Sequence, residues 1–358
     1  MQRRHVLALA LAAATACSFN AQAADSWPTG KPITIVVPFA PGGANDLIAR
    51  LYAKEIGQEL KADVIVENRP GAGAVVGTAY VARSKPNGYT FLVGSNGTVT
   101  NTLIRSDQPY KDSEIEPVAM LAIVPSVIVT NPSNPANNLK EVVENAKKSG
   151  RAINFSTAGM GSTPDFVGAM VKLETGMKME TIPYKSGAEN VAAVVGGQTD
   201  MTSEASMVTL PLVKAGKLKA LATTWDHLDS APDIKTTAEL GFPNIRIGHW
   251  EGLYARTGTP ADILDKMNAA VRKASQSPTI LDALKAYSVT PGTMTRPVFV
   301  KFTKDERDRL GKVVKAAKMQ PDYTWLPRDG ICSFPGFDSF KTTIPSSGCA
   351  WSIRSARA

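Results

Sequence analysis

From residue 33 onward, the chain alternates between short β-rich runs and segments with helical periodicity, and this alternation constrains its fold most. The first pair is Ile33–Val37 followed by a helical pattern over 45–60. Strands that alternate with helices of this length are typical of βαβ units and a parallel sheet. We therefore predict an α/β protein whose sheets are mostly parallel and flanked by helices.

Two β-rich runs within 118–129 are separated by Pro125, which we interpret as a crossing into a second lobe. A return is predicted at about Trp250, and the 358 residues are enough for two domains. Ligands of open α/β sheets bind outside the carboxyl ends of the strands, so we expect a ligand in the cleft between the lobes. The predicted lobes are 24–125 plus 250–322 and 126–249.

Residues 1–23 have the features of a signal peptide. Two early arginines precede an apolar run over 6–16, and the Ala-Gln-Ala that ends at residue 23 matches a small-x-small cleavage site. The apolar run is too short to span a bilayer. We predict an exported protein that is cleaved near Ala23, by either the general secretory or the twin-arginine route.

The formal net charge of +8 is not concentrated in a Lys/Arg block, so no nucleic-acid partner is expected. The cysteines at 17, 332 and 349 lie outside the long middle of the chain, and the three histidines are scattered. The sequence therefore predicts no Cys- or His-based metal site. Residues 323–358 differ in composition from the rest and are predicted to be poorly ordered.

The sequence PFAPGGAND joins the first β-rich run to the first helix and is a candidate anion site. Two glycines let a ligand approach the backbone and allow positive φ. The first N–H groups of a helix lack intrahelical partners and attract an anion. A tight turn without a ligand is the alternative. The candidates are Phe39, Ala40, Pro41, Gly42 and Gly43, with Asn45 and Asp46 as possible caps.

A second join, FSTAGMGSTPDF over 155–166, repeats this arrangement in the predicted second lobe. Hydroxyl groups and two glycines precede a helix there, which would suit a carboxylate. A solvated Ser/Thr/Gly loop is the alternative. The candidates are Ser156, Thr157, Gly161, Ser162, Thr163 and Asp165.

A third glycine-rich segment, NRPGAGAVVGTAYVA over 68–82, imitates a dinucleotide-binding fingerprint. Its glycines have G-x-G-x-x-x-G spacing, and the next β-rich run ends without an acid that could hold a ribose. We interpret the segment as a structural helix start and expect no cofactor.

Other candidates are polar residues at the ends of later β-rich runs. Glu204 could hold a ligand amine or a water, and Arg246 or His249 could meet a second carboxylate. Each could equally be an ordinary surface residue. The remaining candidates are Ser95, Asn96 and Tyr184.

Several ordered motifs resemble the tripartite tricarboxylate transporter substrate-binding proteins, also called the Bug or TctC-like family. They are PFAPGG-x-x-D at 38–46, VENRPGAGAVVGTAYVARSKPNGYT at 66–90, PYKSG at 183–187, GGQTD at 196–200 and GKLKALATT at 216–224. The resemblance implies a two-lobe, type II periplasmic binding protein without enzymatic activity. It also implies that the two glycine-rich joins grip a carboxylate between the lobes.

The implied function is that of a monomeric receptor in the periplasm, which delivers an organic acid to a permease with a large and a small subunit. The acid could be a mono-, di- or tricarboxylate, including an aromatic one such as terephthalate. An acid at 165 departs from the family pattern and would repel a second carboxylate, unless a cation such as Arg246 compensates. The chain also departs from this pattern at Asn87, Ser186 and Glu204.

Two other functions remain open from the sequence. A secreted serine hydrolase would pair Ser156 or Ser162 with His249, although neither serine lies in a G-x-S-x-G elbow. A receptor that presents its bound ligand to a sensor kinase would share every feature described above.

Overall fold

The computed structural model describes residues 27–106 and 108–319. The predicted signal peptide and the atypical tail at 323–358 lie outside the described residues. The first elements in chain order are β1 (Ile33–Val37), α1 (Ala44–Leu60), β2 (Val64–Asn68), α2 (Val75–Ala82), β3 (Thr90–Gly94), α3 (Asn96–Ile104), β4 (Ile115–Val124), β5 (Ser126–Thr130), α4 (Leu139–Ser149), β6 (Ile153–Thr157) and α5 (Thr163–Thr175). The later elements are β7 (Met179–Pro183), α6 (Gly187–Val195), β8 (Met201–Ala205), α7 (Ser206–Lys214), β9 (Lys219–Thr223), β10 (His249–Arg256), α8 (Ala261–Ala274), α9 (Pro278–Lys285), β11 (Thr290–Pro291) and α10 (Arg296–Ala316).

The strands form two separate sheets, each with flanking helices. The six-stranded sheet has the order β11-β4-β10-β3-β1-β2, and the five-stranded sheet has the order β7-β6-β8-β5-β9. We call the first sheet with its helices lobe 1 and the second lobe 2. The predicted α/β class with two lobes is confirmed.

Both sheets are mixed, so the expectation of mostly parallel sheets was wrong. In lobe 1, β1 is parallel to β2 and β3, whereas β10 is antiparallel to both β3 and β4. In lobe 2, β6 is parallel to its neighbours and β5 is antiparallel to β8 and β9. The cause is the connection between lobes: β4 leaves lobe 1 and β10 returns to it, so these neighbours run in opposite directions.

The interior strands β1 and β6 place the two glycine-rich joins. β1 lies between β2 and β3, and its four aliphatic residues are fully buried, as expected for a strand covered on both faces. β6 holds the equivalent position between β7 and β8. Each strand runs straight into its glycine-rich join, so both joins lie at carboxyl ends of parallel strands.

The C-terminal helix α10 packs against both lobes. Its Phe299 lies in a core cluster with Trp250 of lobe 1. Its Leu310 and Val314 lie in a cluster with Phe155 and Phe166 of lobe 2. This helix therefore ties the two lobes together away from the joins.

Local sequence signals failed at two helices. The segment NGTVTNTLI of α3 is rich in β-branched residues, which favour strands, and it follows a β-rich run. It is helical because Ser95 N donates to Thr98 Oγ1 at 3.0 Å and the helix packs on α10. Thr259 stands before Pro260, where a capping residue is common, but its hydroxyl donates to Arg256 O, and Pro260 is the residue before α8.

Within the described residues, no helix is long and apolar enough to cross a membrane. No group of three or more potential metal-binding His, Cys, Asp or Glu side chains occurs in the same residues.

Tyr52→Phe is expected to lower the unfolding free energy by about 1–3 kcal/mol. The fully buried Tyr52 hydroxyl contacts Leu121 O at 2.5 Å and Ser275 Oγ at 2.9 Å, and its removal leaves buried polar atoms short of a partner. Urea denaturation followed by circular dichroism would measure the change. Tyr80→Phe, on an exposed ring, is the control and should leave the midpoint unchanged.

Candidate functional site

The first join is shaped by a hydrogen bond between a glycine and an acid four residues later. Gly42 has φ +90°, which favours glycine, and its N–H donates to Asp46 Oδ2 at 3.0 Å. Asp46 Oδ1 also accepts from Asn68 and lies against Arg50. Asp46 therefore fixes the loop, while the N–H groups of Ala44 and Asn45, at the start of α1, have no intrahelical acceptor.

The second join has the same construction in lobe 2. Gly161 has φ +80°, and its N–H donates to Asp165 Oδ2 at 2.9 Å. Helix α5 then begins at Thr163, directly after Ser162. Asp165, considered from the sequence as a ligand contact, has this structural bond, and burial raises the pKa of its carboxyl to about 6. The two lobes thus present two similar helix N-termini.

The two joins meet at one small cavity between the lobes. Its volume is about 20 Å³, which is about the space that one water molecule needs, so the cleft is nearly shut. The residues that line it are Phe39, Gly43, Ala44, Asn45, Ser95, Ala158, Ser162, Thr163, Pro164, Gly187, Glu204 and His249.

Three buried polar atoms at this cavity have no hydrogen-bond partner: Asn45 Nδ2, Ser162 Oγ and His249 Nε2. Each belongs to a side chain exposed by 9% or less. Buried polar atoms are normally paired, because an unpaired one costs about 1–3 kcal/mol. Three of them around one cavity indicate a place where a polar ligand completes the hydrogen bonds.

Asn96 connects the lobes beside the cavity. Its Nδ2 donates to Thr163 Oγ1 of lobe 2 and to Gly248 O at the return crossing, both at 3.0 Å. Asn96 is fully buried. Its amide therefore holds the lobes together in the closed arrangement.

An acidic cluster lies at the same cavity. Glu204 Oε1 accepts from Ala205 N at 2.9 Å and lies 3.4 Å from His249 Nε2. Burial raises the pKa of Glu204 to about 7. Burial also lowers the pKa of His249 to about 3, so this histidine is neutral near pH 7 and the contact is not an ion pair.

Glu251 belongs to the same cluster, although the sequence did not single it out. It follows His249 by two residues on β10, which places both on one face of the strand. The carboxyl group is fully buried, and neither oxygen has a hydrogen-bond partner. Burial and, after it, the charge of Glu204 raise the pKa of Glu251 to about 8.

The unfolding free energy is expected to fall as pH rises from about 6.5 to 8. The folded-state pKa values of Glu204 and Glu251 lie above the ordinary 4.5, so their contribution is complete below pH 4.5 and is lost as pH rises through 7 to 8. Folded His249 is neutral throughout this window, whereas the unfolded histidine, with its ordinary pKa of 6.5, loses its remaining charge below about pH 7.5 and offsets part of the slope there. The slope should be on the order of 1 kcal/mol per pH unit.

Urea titrations at several pH values would measure this slope. Glu251→Gln removes one of the two titrating groups and should flatten the dependence. A wild-type stability that rises across the same window would contradict the burial of these acids.

Several predicted residues lie away from the cavity. Arg246 pairs with Asp226 at 2.8 Å and lies over the ring of Trp225. Ser156 Oγ donates to Asn190 O at 3.0 Å. Thr157 Oγ1 accepts from Gly159 N at 3.3 Å. The other predicted residues that do not line the cavity are Ala40, Pro41, Gly42, Asp46, Asn96, Gly161, Asp165 and Tyr184.

The structure gives no support to the serine hydrolase alternative. Ser162 and His249 line one cavity, but neither makes a hydrogen bond to the other, and the hydroxyl of Ser156 is bonded to a backbone carbonyl. Four residues that line the cavity were not predicted from the sequence. Gly187 lies in the PYKSG motif, which could have indicated it. Ala44, Ala158 and Pro164 have no polar side chain that could have done so.

The third glycine-rich segment, interpreted from the sequence as structural, contacts lobe 2. A Cβ at Gly73 would clash with the carbonyl oxygen of Met160. A Cβ at Gly97 would lie 2.9 Å from Gly161 O, and one at Gly43 would lie 3.5 Å from Gly187 N. At these three glycines of lobe 1, therefore, backbone without a side chain packs against the loops of lobe 2.

Comparisons with known proteins agree with this architecture. Residues 48–319 match the family model described as Tripartite tricarboxylate transporter family receptor. The protein BugT of Bordetella pertussis is 33% identical over 296 residues, which cover 82% of this chain and 90% of BugT. The solved structure of the periplasmic binding protein BugD is 30% identical with a TM-score of 0.78, and the match covers 82% of this chain and 99% of BugD.

Two further solved structures contain a bound organic acid. Rpa4515 of R. palustris with adipate is 28% identical with a TM-score of 0.78, covering 82% of this chain and 98% of that one. MatC from Rhodopseudomonas palustris with bound malate is 28% identical with a TM-score of 0.75, covering 79% and 98%. The chain is thus similar along most of its length to solute-binding proteins, not to enzymes.

Proposed function

The chain belongs to the tripartite tricarboxylate transporter receptor family, and from this premise we propose that it binds a small organic carboxylate and delivers it to a membrane transporter. The observation that carries the proposal is the cavity between the lobes, where two helix N-termini and three unpaired polar atoms meet. This arrangement suits one carboxylate group. Residues outside this carboxylate position would select the rest of the ligand.

The carboxylate would bind without a cationic side chain. No Lys or Arg occurs among the described residues that line the cavity. The N–H groups of Ala44 and Asn45 on α1 and of Thr163 on α5, with the partial positive charge at helix N-termini, can supply the favourable field. Asn45 Nδ2 and Ser162 Oγ can add side-chain hydrogen bonds.

Access to the cavity would require the lobes to separate. The cavity of about 20 Å³ is too small for an organic acid, and the cavity residues come from both lobes. We infer a cycle in which an open form admits the ligand and closure completes the hydrogen bonds. The Asn96–Thr163 bond would form in the closed form and break in the open one.

The remaining steps are proposals from family membership. The chain would be exported to the periplasm with cleavage near Ala23, would act as a monomer, and would pass its ligand to a permease of one large and one small subunit. The two acids bound in the solved structures, adipate and malate, are both dicarboxylates, so a dicarboxylate is the first ligand to test.

Isothermal titration of the purified protein against mono-, di- and tricarboxylates tests the proposal. At least one carboxylate should bind and raise the melting temperature, because a ligand at a hundred times its Kd stabilises the native state by about 2.7 kcal/mol. Deletion of the gene should then abolish uptake of the same acid. If no carboxylate binds, the proposed ligand class is wrong, and if uptake continues in the deletion strain, the delivery step is wrong.

A further inference from the structure

Glu251 has no role in the function proposed above, yet its environment is unusual. The side chain is fully buried, and both carboxyl oxygens lack a hydrogen-bond partner. A carboxylate can accept about four hydrogen bonds, and buried polar groups are normally satisfied. The fold therefore holds open acceptor positions two residues along β10 from His249, which lines the cavity.

Glu251 and Glu204 form a pair of acids next to His249. Glu204 lines the cavity and is exposed by 2%. It accepts from Ala205 N and from Asn190 Nδ2, the latter at 3.3 Å. Because the two acids influence each other electrostatically, a single group placed near Glu204 also affects Glu251.

No charged group of the protein compensates these acids among the described residues. Neither acid has an ion pair with Lys or Arg, and the contact of Glu204 with His249 involves a neutral imidazole. The acids in the first turns of the helices that begin at the cavity are Asp46 on α1, Asp165 on α5 and Glu189 on α6, and each accepts from a backbone N–H of the loop before its helix. A cation for this pair must therefore come from outside the chain.

We propose, on the basis of the proposed function, that the ligand is a zwitterion whose protonated amine binds at Glu204 and Glu251 while its carboxylate binds at the two helix N-termini. An ammonium group has three donors, which match the open acceptor positions of the pair. A second carboxylate at the same place would meet two acids and a neutral histidine, so it would be repelled or would require both acids to keep their protons.

The unliganded protein tolerates the pair because burial raises the pKa of each acid. A bound amine favours the ionised carboxylates, so each acid that ionises releases one proton to the solvent. A bound dicarboxylate favours the protonated acids and would take protons up. The direction of proton exchange therefore distinguishes the two kinds of ligand.

The experiment compares ω-amino acids, from glycine to 6-aminohexanoate, with α,ω-dicarboxylates of the same number of carbons by isothermal titration. At one chain length the amino acid should bind at least about tenfold more tightly than its dicarboxylate, since hydrogen bonds to charged groups are worth about 1.5–3 kcal/mol. Glu251→Gln should weaken binding of the amino acid by about tenfold or more and should not weaken binding of the dicarboxylates. Glu144→Gln, on the exposed face of α4, is the matched control and should change neither.

A second measurement uses only the unmodified protein, in case Glu251→Gln fails to fold. Titrations at pH 7.5 in two buffers of different ionisation enthalpy give the number of protons exchanged on binding. Release of protons with the tightest amino acid supports the inference. Tighter binding of dicarboxylates with proton uptake overturns it but leaves the proposed function intact. Failure of both series in a protein that binds another carboxylate overturns the inference alone, whereas failure of every carboxylate contradicts both.

Discussion

Gly73→Ala is expected to weaken ligand binding by on the order of tenfold to a hundredfold, although residue 73 does not line the cavity. The added Cβ would clash with the carbonyl oxygen of Met160, which belongs to the opposite lobe. The clash exists only while the lobes are closed, so the open form should fold and persist. Since the cavity is made by both lobes, a protein that closes poorly loses part of its ligand contacts.

The matched control for Gly73→Ala is Gly176→Ala. Gly73 has φ +62° and Gly176 has φ +64°, so an alanine at either position has the same backbone strain, about 1–2 kcal/mol. No atom lies within 4 Å of a Cβ at Gly176. Titration calorimetry should therefore show weaker binding in Gly73→Ala alone. Equal affinities for the two variants would show that closure does not depend on this contact.

Gly43→Val is expected to abolish measurable binding while the protein still folds. Gly43 lines the cavity and has an ordinary φ of −84°, so the backbone accepts a side chain. A Cβ here would lie 3.5 Å from Gly187 N across the cleft. The two additional carbons of valine would enter the space between the helix N-termini, where we place the carboxylate.

Gly43→Ala separates the effect of the added methyl groups from the loss of glycine. Its Cβ makes ordinary van der Waals contact with Gly187, so binding should stay within a few-fold of the wild type. Circular dichroism and calorimetry on both variants would check fold and affinity. Normal binding by Gly43→Val would place the carboxylate elsewhere.

The sequence predicted the parts of the site that depend on short stretches of chain. Gly42 and Gly161 lie in loops at strand ends, and both have the positive φ that the glycine-rich sequence of each join allowed. Ser162 and Glu204 reach the cavity as proposed candidates. In these cases the relevant partner lies within a few residues, and local patterns determine it.

The sequence could not assign Asp165 and Arg246. Asp165 is a polar residue within a predicted binding loop, so the sequence suggested a ligand contact. Its carboxylate instead accepts a hydrogen bond from Gly161 N inside its own loop. Arg246 pairs with Asp226 and stacks on Trp225 instead of facing the cavity. The direction in which such side chains point depends on packing, which no spacing in the sequence records.

The sequence by itself determined most of the alternation of strands and helices, the two glycine-rich joins and the family. Only the tertiary structure decided which residues face each other across the cleft, such as Gly73 and Met160, or Asn96 and Thr163. It also revealed Glu251 as a buried acid with open acceptor positions. The physical reason is that burial and hydrogen-bond satisfaction arise from contacts between segments far apart in the chain, whereas helix and strand signals arise from neighbours.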